Sequence, residues 1–282
     1  MSGAAPGPAW PSFTGTANLV GVSGSGRVSV YVDAALDPPG QHNAQDLLAD
    51  ADRVVQANDH LFGTGSATGS GSGSVNAIVF ALGGRTDGTG GADHLSCDYI
   101  MGNNLELCAA YGNSMRVSAL FEAELSECNM GGNLCGVSTG EALSRWCAAS
   151  VSNNALADFA TAPTWFTDGA PDFVTQTEQT DRSANSTGCG MAFISWLLSQ
   201  NIALGTIAQG LVALGGTGTL AQLYGNLTGN DPGTAYQTFL GALKALPNSI
   251  TNDDPFAGLG TVRLATGMVQ LCWHLLLPPG QY

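Results

Sequence analysis

Between Arg116 and Trp146 the chain reads RVSALFEAELSECNMGGNLCGVSTGEALSRW, and this stretch limits the possible folds more than any other. Residues 116–128 have helical periodicity: Val117, Leu120, Phe121, Glu124 and Cys128 follow the i, i+3, i+4 spacing that gathers side chains on one face. One member of that stripe is a glutamate. A carboxylate on an apolar face costs free energy unless it is paired, protonated or bound to a cation, so whatever packs on this helix must answer Glu124. Glu127 falls one turn on, at the flank of the same face, while Glu122 projects the other way beside Ser118 and Ser126 and reads as solvated. Glutamate is scarce, with six in the chain at 106, 122, 124, 127, 141 and 178, so finding four of them in one window marks that window as a place of chemistry.

The rest of the composition says what this chemistry is not. Charged residues make up 11% of the 282 positions, Lys244 is the only lysine, and the net charge is −14. Such a chain lacks the basic footprint that nucleic acid or an anionic membrane surface requires. No apolar run reaches membrane-spanning length: Met268–Leu277 comes nearest and is broken by His274. A surface rich in Gly, Ser, Thr, Ala and Asn suggests an extracellular setting, and its low charge density leaves a homo-oligomer open. The N-terminal MSGAAPGPAWPS has neither the basic region nor the apolar core of a signal peptide, so secretion presumes a signal absent from this chain. Asn185 and Asn226 head glycosylation sequons. The spacing of the seven cysteines favours local bridges, Cys97–Cys108, Cys128–Cys135 and a longer Cys147–Cys189, with Cys272 left over. Such a framework suits an oxidising compartment, though spacing does not fix connectivity.

Read in order, the pattern predicts α+β architecture with segregated halves. Residues 1–26 are an irregular Gly/Pro/Ser-rich arm. An α+β subdomain over 27–150 opens with a strand at Arg27–Asp33. A helix capped by Asn43 then runs to Phe62, with Leu47, Leu48, Ala51, Val54, Val55, Asn58, Leu61 and Phe62 as its stripe. The glycine-rich loop 63–74 lacks the GK[ST] of a phosphate-binding loop. A buried strand at 75–82 follows, then a hairpin of strands near 97–99 and 105–109, the Glu-rich helix, and a second helix at 139–150. A helical subdomain covers 151–252, with little regular signal before residue 186 and helices at 190–200, 203–214, 219–224 and 232–246. The tail 253–282 is ambiguous.

This order of strand, long helix, strand, hairpin and Glu-rich helix resembles a gluzincin-type zincin metallopeptidase, in particular the short-spaced layout of the plant basic secretory protein family. In that pattern one helix carries HExxH and the next carries a glutamate in a motif like NEGLADYxA. Here the corresponding residues are Ala123-Glu124-Leu125-Ser126-Glu127 and Gly140-Glu141-Ala142-Leu143-Ser144-Arg145-Trp146-Cys147-Ala148, followed by TGCGMAFISWLLSQ at 187–200, which is similar to a helix found after the third ligand. The resemblance spans about residues 27–245 and implies a zincin-like metal-dependent hydrolase, peptidase-like, acting on a peptide or polymer. It implies Glu124 as general base and Glu127 and Glu141 as metal ligands, Glu141 the third. Ala123 replaces the first histidine and cannot bind metal; His94, on the hairpin before the helix, would restore a ligand. Carboxylate-rich ligands suit calcium or manganese better than zinc. With His94, Glu127 and Glu141 holding the ion, Glu124 would take the proton from the attacking water.

Plainer readings compete with each assignment. Glu141 fits a capping box with Ser138 and an i, i+4 pair with Arg145. Glu124 and Glu127 fit a buried pair hydrogen-bonded to backbone, Arg116 or Arg145. His94 fits an exposed turn, His274 a packed position, and His42 and His60 the surface. The departures from the motif also fit a non-catalytic zincin-like domain that binds a partner, glycan or polymer, or assembles with itself. Finally, Gly136-Val137-Ser138-Thr139-Gly140 matches G-x-S-x-G before a helix, so a serine hydrolase with Ser138, Asp168 or Asp172, and His274 is a further alternative, although 129–135 supply no strand ahead of it.

Overall fold

The structure is a computed structural model, and it describes residues 7–63, 75–81, 92–93, 104–108, 114–130, 134–152, 160–258, 260–264 and 267–271. The chain is α+β with a helical C-terminal half. Its first half is a five-stranded sheet made of β1 (Ala17–Val22), β2 (Val28–Asp33), β3 (Val75–Phe80), β4 (Ala92–Asp93) and β5 (Asn104–Cys108), in the order β1-β2-β3-β5-β4. The three central strands run parallel and the two edge strands antiparallel to them. Residues 17–22 therefore belong to the sheet and not to an irregular arm. The antiparallel neighbour of β5 is β4; positions 97–99, where a hairpin partner was expected, lie outside the described residues.

Alternation in β2 sends Val28, Val30 and Val32 to one face, where they meet Ala77, Val79, Leu105 and Leu107. Two helices cover this face. The first, α1 (Pro38–Phe62), starts five residues before the expected cap: the Asp37 carboxylate accepts the Gly40 amide at 3.1 Å, and prolines occupy the first turn, where no amide donor is needed. Asn43 instead lies buried inside the helix. The second, α2 (Ser114–Met130), sends Val117, Phe121 and Leu125 into the same core.

The opposite sheet face is closed by the N-terminal segment. Cross-strand neighbours Tyr31, Ile78 and Glu106 form one row across β2, β3 and β5. Over it, Trp10 packs edge-on against Tyr31 at 5.3 Å and Phe13 against Phe80 at 5.9 Å. The buried Glu106 carboxylate accepts the Ser12 amide at 2.8 Å, the Ser12 hydroxyl at 2.6 Å and the Phe13 amide at 2.6 Å. Asn104 donates to the Ala9 carbonyl at 2.7 Å. A buried carboxylate is tolerable when charge-assisted donors surround it, and here those donors tie down a segment 93–94 residues away in sequence.

After α3 (Ser138–Val151) come α4 (Thr161–Thr167), α5 (Ala184–Ser199), α6 (Leu204–Leu214), α7 (Leu220–Thr228) and α8 (Ala235–Lys244), then a two-stranded hairpin of β6 (Gly260–Leu264) and β7 (Gly267–Leu271). Thus α4 and the first turn of α5 fall in a region that looked irregular in sequence, and part of the ambiguous tail is a hairpin. Glycines set the spacing at α5: a Cβ on Gly188 would meet the Thr161 carbonyl oxygen at 2.2 Å, and one on Gly190 would meet the Ala142 side chain at 2.7 Å. Phe239 sits at the centre of the helical core, with ring-centroid distances of 5.7 Å to Trp165, 5.1 Å to Phe193 and 5.6 Å to Trp196. This core also takes in Leu61 and Phe62 of α1 and Leu143, Trp146 and Cys147 of α3.

Cys108, Cys128, Cys147 and Cys189 are thiols, not half-cystines, so none of the three expected pairings forms; Cys135 is disulfide-bonded. No helix among the described residues is long and apolar enough to cross a membrane.

Candidate functional site

The Glu-rich helix α2 has neighbours on nearly every side. Its apolar stripe faces the sheet core, while Ala119 and Ala123 meet Ala148 and Ala149 of α3 through side chains small enough for a close approach. Its third side faces α1. This explains the main departure from the sequence reading: Glu122 is not solvated but fully buried, at 0% exposure. Its carboxylate accepts the Asn58 side-chain amide at 3.0 Å, and the Asn58 carbonyl oxygen in turn accepts the Asn129 amide at 2.6 Å. Burial pushes Glu122 well above the ordinary glutamate range, against the Asn58 hydrogen bond and the Arg53 charge; nearby Asp59 adds to the rise. Among the described residues, its Oε2 has no hydrogen-bond partner.

Glu124 is buried too, at 8% exposure, as its place in the apolar stripe requires. Glu127 is half-buried on the same helix. Its charge is felt across the α2–α3 contact. Burial chiefly raises the Glu141 carboxyl, with Glu127 and Asp181 adding to the rise and Arg145 opposing it. Burial also pushes the Cys128 and Cys147 thiols well up, reinforced at Cys128 by Glu124 and Glu127 and at Cys147 by Glu122 and Glu127. The charge of Glu127 on α2 thus acts on Glu141 of α3.

What Glu141 does there is settled by its own helix. The cap residue of α3 is Val137, without a side-chain cap bond, so the expected Ser138–Glu141 capping box does not form. The other expected contact does: Arg145 Nε donates to Glu141 Oε1 at 2.7 Å, with side-chain exposures of only 15% and 22%. Ser138 is buried, donates its amide to the Glu178 carbonyl at 3.1 Å and accepts the Glu178 amide on its hydroxyl at 3.3 Å. Asp168 accepts the Asn185 amide at 3.1 Å, and Asp172 caps a turn by accepting the Val174 and Thr175 amides at 2.8 and 3.0 Å. His94, His274 and the Arg116 side chain lie outside the described residues, and His42 and His60 are exposed as expected.

No protein-family model, curated protein or solved structure matches the chain. The likeness to gluzincins therefore rests on the quoted residues alone.

Those residues do not fit a catalytic zinc. Ala123 offers no donor, and of the two carboxylates aligned with ligand positions, Glu127 and Glu141, the second already holds a guanidinium, a cation that a second cation beside it would repel. No group of three or more His, Cys, Asp or Glu side chains suited to a metal occurs among the described residues. Two partners that sequence reasoning passed over, Asn58 and Glu106, carry the clearest polar networks instead. Asn58 did leave a signal, as an amide within the apolar stripe of α1.

Proposed function

We propose that this chain works by association, as a binding or assembly domain, and not by catalysis. The observation that carries this reading is the Glu141–Arg145 ion pair at 2.7 Å. The carboxylate at the third ligand position is neutralised from within its own helix, and the buried Glu122 and Glu106 are likewise engaged by Asn58 and by the N-terminal segment. Their role in this reading is to join α1, α2, β5 and the arm into one body.

A metal-dependent hydrolase is the second reading, with Glu124 as base and His94, Glu127 and Glu141 around zinc, calcium or manganese. The charge of Glu127 acting on Glu141 favours it, because a carboxylate that raises a neighbour's proton affinity also attracts cations.

Calorimetric titration of the purified chain with Zn, Mn and Ca, together with peptide hydrolysis by the wild type and Glu124→Gln, separates the two. Association predicts no stoichiometric metal uptake and no hydrolysis that depends on Glu124. Uptake that Glu127→Gln removes, or hydrolysis that Glu124→Gln abolishes, overturns it. The serine-hydrolase alternative would require covalent labelling of Ser138 by an organophosphonate.

A further inference from the structure

We infer that two copies of this chain pair through the free edge of β1, continuing the sheet across a two-fold axis. The inference rests on the reading of the chain as an association domain and names its partner as a second copy. It starts from the position of β1 at the edge of the sheet, where among the described residues one strand, β2, lies beside it. The outer row of main-chain amides and carbonyls of such a strand is complementary to another strand edge.

The side chains of β1 reinforce this. Leu19 is 56% and Val22 52% exposed, and they are the exposed large hydrophobic residues among those described. Three positions apart on a regular strand, they would point to opposite faces. The register shift between Leu19 and Gly21 brings them together: Leu19 lies opposite Tyr31 and Val22 opposite Ser29. Tyr31 and Ser29 both point away from the helices, so Leu19 and Val22 do as well. Val20 turns inward to the helix-side core, and Gly21 lies against Leu48 of α1, where a Cβ would meet the Leu48 side chain at 2.6 Å. The N-terminal segment covers Tyr31 and the strands beyond it and leaves this pair open.

Charge argues for a second copy over another partner. The net charge is −14, yet residues 1–26 contain no Asp, Glu, Lys, Arg or His. A basic partner gains nothing from this strand. A second copy gains a surface on which two strongly acidic chains can meet without opposing charges in the contact. Natural sheet edges that avoid pairing commonly carry lysine, proline, an inward charge or a bulge; ANLVGV carries none of the first three, and its one register shift, between Leu19 and Gly21, turns both exposed side chains to one face. In an antiparallel pair about an axis normal to the sheet, Leu19 and Val22 of both copies share one face, giving the self-complementary contact of a closed two-fold dimer.

Sedimentation velocity and light scattering on the full chain over a dilution series test this. The wild type is expected to dimerise, and more tightly as salt screens the repulsion between the two acidic bodies. Leu19→Glu/Val22→Glu, which sets like charges against each other across the axis, is expected to weaken the dimer at least about tenfold. Both side chains are more than half exposed, and circular dichroism checks that the variant is folded. If the glutamates unfold it, Leu19→Thr/Val22→Thr carries the same test with strand-favouring side chains. A wild type that stays monomeric throughout, or a folded double variant that dimerises as well as the wild type, overturns the inference. A monomeric wild type leaves the association reading standing with a different partner, whereas that reading fails separately, through hydrolysis lost in Glu124→Gln.

Discussion

The two halves of this chain solve the same packing problem with different materials. In the sheet half the layers are joined by buried polar side chains: Glu106 holds the arm, and Glu122 holds Asn58 of α1. In the helical half the interior is aromatic, and two acids tie the segment after α8 to α4 and α5. There Asp253 caps α4 by accepting the Ala162 amide at 2.6 Å and the Thr161 hydroxyl at 3.0 Å, and Asp254 accepts the Ser195 hydroxyl at 2.5 Å. The difference teaches where each half is vulnerable. Aromatic packing fails through lost volume, whereas a buried acid fails through lost partners or a change in protonation.

The largest effect is expected where volume alone is removed. Phe239→Ala takes a fully buried ring out of contact with Trp165, Phe193 and Trp196, and should cost about 3–5 kcal/mol in urea unfolding. Because Leu61, Phe62 and Leu143 belong to the same core, both halves should unfold in a single transition. Separate transitions for the sheet and the helices would break the comparison by making them independent bodies. Next comes Glu106→Ala, which removes the acceptor of three hydrogen bonds and should cost about 2–3 kcal/mol. The arm before residue 17 should then become the first site of limited proteolysis, while Phe239→Ala should not single it out. Asp253→Ala should cost about 1–2 kcal/mol, the usual effect of losing a helix N-cap.

The sequence revealed the halves better than it revealed the ties between them. Alternation in VSVYVD and the run VNAIVF announced β2 and β3, and the stripe ending in Leu61-Phe62 announced α1, because one periodicity decides each element. Glu124 was legible as a buried acid for the same reason. A helix with one buried face and one wet one would leave Glu122 in solvent, whereas α2 lies among the sheet, α1 and α3. The arm was misread because its own composition is irregular; it is ordered by Glu106, far along the chain. At the candidate site the i, i+4 spacing of Glu141 and Arg145 was legible and their contact forms, but spacing does not say whether a carboxylate will keep such a partner or share it with a metal. The short α4 depends on Asp253 for its first turn, a tertiary contact that no local pattern contains.

The smallest effect is also the most specific to the sheet half. Glu122 has its proton affinity raised by burial, so above the unfolded value the folded chain holds its proton more firmly than the unfolded chain does. Its contribution to stability is therefore fully present below the unfolded value, 4.5, and is lost as pH rises through the folded value. The slope from this one group cannot exceed about 1.4 kcal/mol per pH unit. Glu122→Gln keeps an oxygen for the Asn58 amide and has no proton to lose. It should match the wild type within about 0.5 kcal/mol near pH 4.5 and become relatively more stable as pH rises. Burial also raises Asp253 and Asp254, so the wild type carries slopes of the same sign from the helical half, while Asp52, lowered by its Ser25 and Ser23 hydrogen bonds, contributes the opposite sign. The decisive quantity is thus the difference in the pH dependence of Tm between Glu122→Gln and Asp253→Asn. A larger flattening in Glu122→Gln places the acid sensitivity in the α1–α2 contact. Equal flattening would mean that the two halves bury their acids at the same cost, and the contrast between them would rest on aromatic packing alone.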